Sequence, residues 1–175
     1  MLHTLDLRPD EAALVRSAQR GDRAAFGALY DRYGRMVHGV LLAYVAFHEA
    51  EDLMQDVFVK ALERLDSLRE PAAFGGWLMA VARRIATDFQ RSRKPVTGLD
   101  HVFSRATRPD GEAFEVLGLI QRLPESYRET LILRLVEGMT GPEIAARTGL
   151  TADSVRVNLC RGMKLLRESL EAKKI

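Results

Sequence analysis

Apolar residues recur three and four positions apart along almost the whole chain, and no stretch alternates with the period of two that a half-buried strand requires. A chain of 175 residues patterned this way can bury its apolar stripes only by packing helix on helix, so an all-α fold is predicted. Helical runs are expected over residues 10–20, 23–47, 48–68 and 72–93. They break at Gly21-Asp22 and at Pro71, whose ring disfavours helix at Glu70. Over residues 96–114 the periodicity lapses around a Pro-Asp-Gly turn. Helical runs then resume near 115–123, 124–137, 141–147 and 152–172. The expected organisation is two small helical domains, residues 1–95 and 115–175, joined by a flexible linker over residues 96–114.

Composition narrows the function classes. Hydrophobic residues make up 47% and charged residues 29%, as in a folded globular protein. A net charge of only +2 gives no global basic field, so any contact with nucleic acid must come from local patches. The single cysteine, Cys160, forms no internal disulfide and fits a reducing compartment. The opening MLHTLDLRPDEAAL has acids where a signal peptide needs bases, and the longest apolar stretch, residues 40–47, is too short to span a bilayer. A cytoplasmic protein without membrane insertion is expected. His3, His38, His48 and His101 have no partner at helical spacing, and neither a Gly-rich phosphate loop nor a G-x-S-x-G elbow occurs. No metal, no cofactor and no catalytic constellation are expected, and hence no enzyme.

GMTGPEIAARTGLTADSVRVNL, residues 138–159, carries the mechanical parts of a helix-turn-helix. Pro142 stands early in the first helix, where its missing N–H costs nothing. Ile144 and Ala145 face inward, Gly149 supplies the left-handed residue that closes the helix, and Thr151 caps the next. In the last helix Val155, Leu159, Met163, Leu166 and Leu170 gather on one face. Val157, Cys160, Arg161 and Lys164 fall on the opposite side with Arg156 on the flank. Arginines there can hydrogen-bond guanine edges or phosphates, and Val157 can pack on a thymine methyl. A helical corner with solvated arginines is the competing reading of the same letters.

In the N-terminal half, HEAEDLMQDVFVKALERL is expected to turn Leu53, Val57, Phe58, Ala61, Leu62 and Leu65 inward. Its Glu51, Asp52, Gln55 and Asp56 share an outer face, which on these grounds alone is a solvated charge cluster. The following FGGWLMAVARRIATDFQRSRK is expected to pack Phe74, Leu78, Val81, Ile85 and Phe89 inward. Trp77, Arg84 and Arg91 form an outer stripe with Thr87 between them. Five bases (Arg83, Arg84, Arg91, Arg93 and Lys94) stand against one acid, Asp88. An aromatic ring beside guanidinium groups suits unpaired bases, whose stacking is worth roughly 1–3 kcal/mol each. A half-buried Trp77 that packs the preceding loop is an equal alternative.

Four segments in order resemble the extracytoplasmic-function sigma factors of bacterial RNA polymerase, members of the sigma-70 family. They are LVRSAQRGDRAAFGALYDRYGRMV, AEDLMQDVFVKALERL, FGGWLMAVARRIATDFQRSRK and LPESYRETLILRLVEGMTGPEIAARTGLTADSVRVNLCRGMKLLRESL. The resemblance implies that Glu51, Asp52, Gln55 and Asp56 meet the clamp helices of core RNA polymerase. It implies that the loop over residues 67–73 and the helix after it, with Trp77, Arg83, Arg84, Thr87 and Arg91, capture the minus-ten element. Arg156, Val157, Cys160, Arg161 and Lys164 would read the minus-thirty-five element. Core RNA polymerase, promoter DNA and an anti-sigma factor are the implied partners, and a stress response is the implied setting. Arg84 stands where the family often has Asn, and Val157-Asn158 where it often has small polar or basic residues. A stand-alone helix-turn-helix regulator is the rival reading. It predicts a homodimer on palindromic DNA and leaves the N-terminal half without a role.

Chain length sets a geometric test. About 19 linker residues reach at most roughly 63–68 Å when extended, and average about 22–26 Å between ends as a relaxed coil. Two promoter elements two helical turns apart lie on the order of 70 Å from each other. Both modules can engage together only when the strap is held stretched. The isolated chain is therefore expected to be compact and to bind promoter DNA weakly in gel-shift titrations, with tight binding only in the presence of core polymerase.

Overall fold

The computed structural model describes residues 10–92 and 111–173, and every regular element among them is helical. The N-terminal module consists of α1 (Glu11–Gln19), α2 (Arg23–Leu42), α3 (Phe47–Arg64) and α4 (Phe74–Ser92). Two 3-10 turns, Leu65–Ser67 and Pro71–Ala73, link the last two helices. The C-terminal module consists of α5 (Gly111–Gln121), α6 (Glu125–Leu135), α7 (Gly141–Thr148) and α8 (Ala152–Lys173).

Side chains fix where these helices begin. The Asp22 carboxylate accepts hydrogen bonds from the Ala24 and Ala25 amides at 2.9 and 3.1 Å, satisfying two donors that the first turn of α2 leaves open. Glu49 accepts from the Ala46 amide at 2.9 Å, so α3 starts at Phe47. Helix α2 stops at Leu42, five residues before the end expected from the apolar pattern. The residues between make a turn, and periodicity cannot separate an apolar turn from an apolar helix end. Helix α5 begins at Gly111, inside the stretch expected to be linker. The Pro-Asp-Gly signal marks the approach to a helix and not the middle of a strap. The rest of the expected linker, and Arg93 and Lys94, lie outside the described residues.

The core of the first module is built on Tyr33 and Phe74, both fully buried and set edge to face with ring centroids 5.1 Å apart. Ala50, Leu53, Val57, Phe58 and Ala61 form the buried stripe of α3, and Leu65 continues it into the 3-10 turn that follows. Leu62, expected on that stripe, is 53% exposed. At 100° per residue it lies about 40° beyond Phe58, past the edge of the buried arc. On α4 the buried residues are Phe74, Gly75, Leu78, Met79, Ala82 and Ala86. Val81, Ile85 and Phe89, expected inward, are only partly buried and face a groove against Leu53 and Val59 of α3. The small residues turn inward because they let α4 approach its neighbours closely. The Gln19 amide ties the bundle's end to its loop, donating to the Leu65 and Leu68 carbonyls at 3.0 and 2.8 Å.

In the second module α6 and α8 cross at Gly162, where an added Cβ would sit 3.0 Å from Leu131 Cδ1. Val155 and Leu166 are buried, and Leu159, Met163 and Leu170 pack partly against them, as the expected inner face of α8 requires. Ile144 is fully buried on α7. Gly149 closes that helix at φ 76°, the left-handed conformation its position in the sequence predicts.

The two modules lie against each other, α2 on α6 and α4 on α7. Their backbones meet closely at Gly75, where an added Cβ would stand 2.0 Å from the Arg147 carbonyl oxygen. Nothing lies within 4 Å of the Cβ position of Gly149, so a substitution there meets only the backbone penalty. Gly149→Ala is expected to lower unfolding stability by about 1–2 kcal/mol, read from urea titrations as a lower midpoint with an unchanged slope.

Candidate nucleic-acid interface

The recognition helix of a helix-turn-helix is useful only if the turn before it is rigid, and here the turn is hydrogen-bonded at both sides. Thr140 caps α7: its hydroxyl accepts from the Glu143 amide at 3.3 Å, and Glu143 Oε2 accepts from the Thr140 amide at 2.7 Å. This reciprocal pair is a capping box. The buried Thr148 hydroxyl donates to the Ile144 carbonyl at 2.6 Å and accepts from the Leu150 amide at 3.2 Å. Thr151 Oγ1 then accepts from the Ser154 amide at 3.1 Å, which caps the first turn of α8 as expected. Asn158 Nδ2 donates to Thr130 Oγ1 at 3.4 Å, fastening α8 to α6.

All five residues expected to read duplex DNA are exposed on α8: Arg156, Val157, Cys160, Arg161 and Lys164. Val157 keeps 38% of its surface open, enough to offer its methyl groups to a partner. Arg156 lies 3.5 Å from Asp153 with both side chains at least 80% exposed, and Lys164 lies 4.0 Å from Glu168. Ion pairs so exposed contribute about 0–1 kcal/mol and do not withhold these cations from DNA.

The expected minus-ten residues divide into two groups. Arg84 and Arg91 are exposed on α4 and both lie 3.8 Å from Asp88. Trp77 is half-buried, its ring tilted on Phe74 with centroids 5.8 Å apart. The Thr87 hydroxyl donates to the Arg83 and Arg84 carbonyls at 2.9 and 3.0 Å, within its own helix. Arg83 is turned into the boundary between the modules. Its Nε and Nη2 donate to Glu129 Oε1 and Oε2 at 2.7 and 2.6 Å, a bidentate pair. The Glu129 hydrogen bonds outweigh burial and push the guanidinium's affinity for its proton further up. Glu51, Asp52, Gln55 and Asp56 are all exposed together on α3.

A set of residues not anticipated from the sequence spans the boundary. Glu129, only 3% exposed, also accepts from the Tyr44 hydroxyl at 2.8 Å. Burial, and next the charge of Glu129, push the Tyr44 hydroxyl well above its ordinary range. His38 Nδ1 lies 2.6 Å from Glu137 Oε1, and Arg35 donates to the Glu137 carbonyl. The Gln121 amide donates to the Leu42 and Val45 carbonyls at 2.7 and 3.1 Å. One signal was available: Glu129 precedes the apolar run TLILRL, and a charge set into a buried face needs a partner. The identity of that partner could not be read, because it belongs to the other module.

A family model for sigma-70 region 2 matches residues 29–96, and one for sigma-70 region 4 matches residues 113–166, together more than half of the chain. The ECF RNA polymerase sigma-E factor of Escherichia coli (strain K12) is 29% identical, with 89% of this chain and 92% of that protein covered. Its Haemophilus influenzae counterpart is 28% identical, over 92% of this chain and 95% of its own. Among solved structures, CnrH in complex with the cytosolic domain of CnrY is similar at 26% identity and a TM-score of 0.63, covering 93% of this chain and 97% of that one.

The capping box makes a pH prediction. Hydrogen bonds from Thr140, the amide first, hold the Glu143 carboxyl below its ordinary value of 4.5. A group whose folded value is lowered stabilises above its unfolded value and loses that contribution as pH falls through the folded one. The stability advantage of the native chain over Glu143→Gln is therefore expected to be full above the ordinary carboxyl value of 4.5 and to be lost as pH falls through the lowered folded value, by urea unfolding from neutral to acid pH.

Proposed function

We propose how promoters are selected by this chain, which belongs to the sigma-70 family and is an RNA polymerase sigma factor of the extracytoplasmic-function type. The reading starts from one observation: two helical modules offer separate open surfaces, an acidic one on α3 and a basic one on α8. Glu51, Asp52, Gln55 and Asp56 dock on a basic clamp of core RNA polymerase, and opposite charge speeds encounter and makes it salt-sensitive. Arg156 and Arg161 on α8 reach base edges and phosphates of the minus-thirty-five element, while Val157 and Cys160 pack along the groove and Lys164 holds the backbone.

At the minus-ten element, Trp77 offers a ring to an unpaired base, and Arg83, Arg84, Thr87 and Arg91 hold the strand beside it. Promoter opening then needs no covalent chemistry. Binding of flipped bases offsets the few kcal/mol of unstacking, and the chain acts as a binding factor, not as an enzyme. No helix among the described residues is long and apolar enough to cross a membrane, and we place the chain in the cytoplasm with the polymerase. By likeness to CnrH, solved with the cytosolic domain of CnrY, an anti-sigma factor is a further partner.

Transcription from a promoter library by core polymerase, with and without the chain, tests the reading. Start sites that depend on the chain are expected, and their absence refutes it. Arg156→Ala and Arg161→Ala should each cost about 1–3 kcal/mol of promoter affinity and relax sequence preference, with thermal unfolding unchanged because both side chains are exposed. Replacing Asp52 and Asp56 by lysine should instead abolish co-purification with core polymerase and leave the recognition helix untouched.

A further inference from the structure

Three donors converge on one carboxylate at the boundary between the modules. Arg83 Nε and Nη2 and the Tyr44 hydroxyl approach Glu129 at 2.7, 2.6 and 2.8 Å. Both donor residues belong to the N-terminal module, one on α4 and one in the turn after α2, whereas the acceptor comes from α6. The donors do not depend on α6 for their relative position. Gln90, also on α4, donates to the Tyr44 carbonyl and pins that turn to α4. The other charges facing the guanidinium and the phenol also come from α6. Glu125 lies 3.5 Å from Arg83 Nε, and the Arg128 guanidinium sits 4.5 Å over the Tyr44 ring. Withdrawing α6 thus removes two carboxylates and one cation, and leaves the two donor residues in place around an empty space.

We propose that Arg83 and Tyr44 form an anion-binding cup that a DNA backbone phosphate takes over from Glu129 when the modules separate, so that Glu129 is a built-in competitor of promoter DNA. The inference rests on the reading of the chain as a promoter-binding factor and goes beyond it by naming Tyr44 as a DNA contact and Glu129 as the group that DNA displaces. The planar fork of an arginine fits the paired oxygens of a carboxylate and of a phosphate alike. One cup cannot hold both, so occupation by DNA and closure of the modules exclude each other. On α4 the cup is continued by Thr87, one turn beyond Arg83, and by Arg91 one turn further, so a strand seated there follows the helix. Closure does not cover the five exposed residues of α8. The competitor therefore acts on the minus-ten side alone.

The test uses the full chain, a fluorescein-labelled mixed-sequence single-stranded oligonucleotide and small-angle scattering. Glu129→Gln is expected to enlarge the radius of gyration and to tighten oligonucleotide binding several-fold. It should also steepen the slope of log K against log salt by about 0.7, the value of one added phosphate contact on a single strand. Adding Arg83→Ala should erase the gain, and adding Tyr44→Phe should reduce it. Gly75→Ala keeps the cup and Glu129 but places a methyl group against the Arg147 carbonyl, so it should open the modules and raise binding by a route that removes no polar group. An enlarged radius without tighter binding in both variants would overturn the cup, and a wild-type chain already as extended as Gly75→Ala would overturn the competition. Chain-dependent initiation by wild-type protein with core polymerase reports separately on the underlying reading, which survives either result.

Discussion

Glu129 is a carboxylate removed from water, and the arrangement of the two modules depends on its having partners. An unpaired charge in that position would cost several kcal/mol, so the modules can meet only in the register that brings Arg83 and Tyr44 to it. Close packing acts beside it: a Cβ added at Gly39 would stand 2.7 Å from Leu133 Cδ2, and one at Gly75 would meet the Arg147 carbonyl oxygen. Packing limits the approach, and the charge adds the demand for a partner. The same physics makes the closed form reversible. Separation returns Glu129 to water together with its partners, so the desolvation that closure imposed is recovered and the net difference stays small.

The two faces argued to meet DNA are held under opposite regimes. On α8 Arg156 and Lys164 are paired with neighbours in the same helix, at distances and exposures where screening leaves almost no attraction. On α4 the outer cations Arg84 and Arg91 share Asp88 in the same loose way, whereas Arg83 is engaged by two short charge-assisted bonds. Readiness for a ligand differs between the faces because burial differs, although both are built from arginines on amphipathic helices.

Most of the fold was legible because helices announce themselves locally. The 3.6-residue period, the acids at helix starts, Pro142 and Gly149 are all signals within a few residues of the feature they determine. The turn after α2 was missed because residues 43–47 are as apolar as the helix before them. Leu62 and the Val81, Ile85 and Phe89 flank lie outside the buried stripe although the pattern points them inward, because periodicity gives a direction but not the width of the neighbour that covers it. The exposed residues of α8 and α3 were legible for the same reason: polarity opposite an apolar stripe is a one-helix property. Arg83's partner was not, since a contact between residues 46 positions apart leaves no periodic trace in either segment.

The open face of α8 in the joined form has a kinetic consequence. A molecule whose basic recognition helix stays uncovered can slide and hop along duplex DNA by phosphate attraction alone, touching it with one end while the other is folded away. Its search is one-handed. On the proposed assignment of α8 to the upstream element, encounter with that half of a target precedes any capture of the strand downstream, and the order of events at a start site follows from which helix faces solvent.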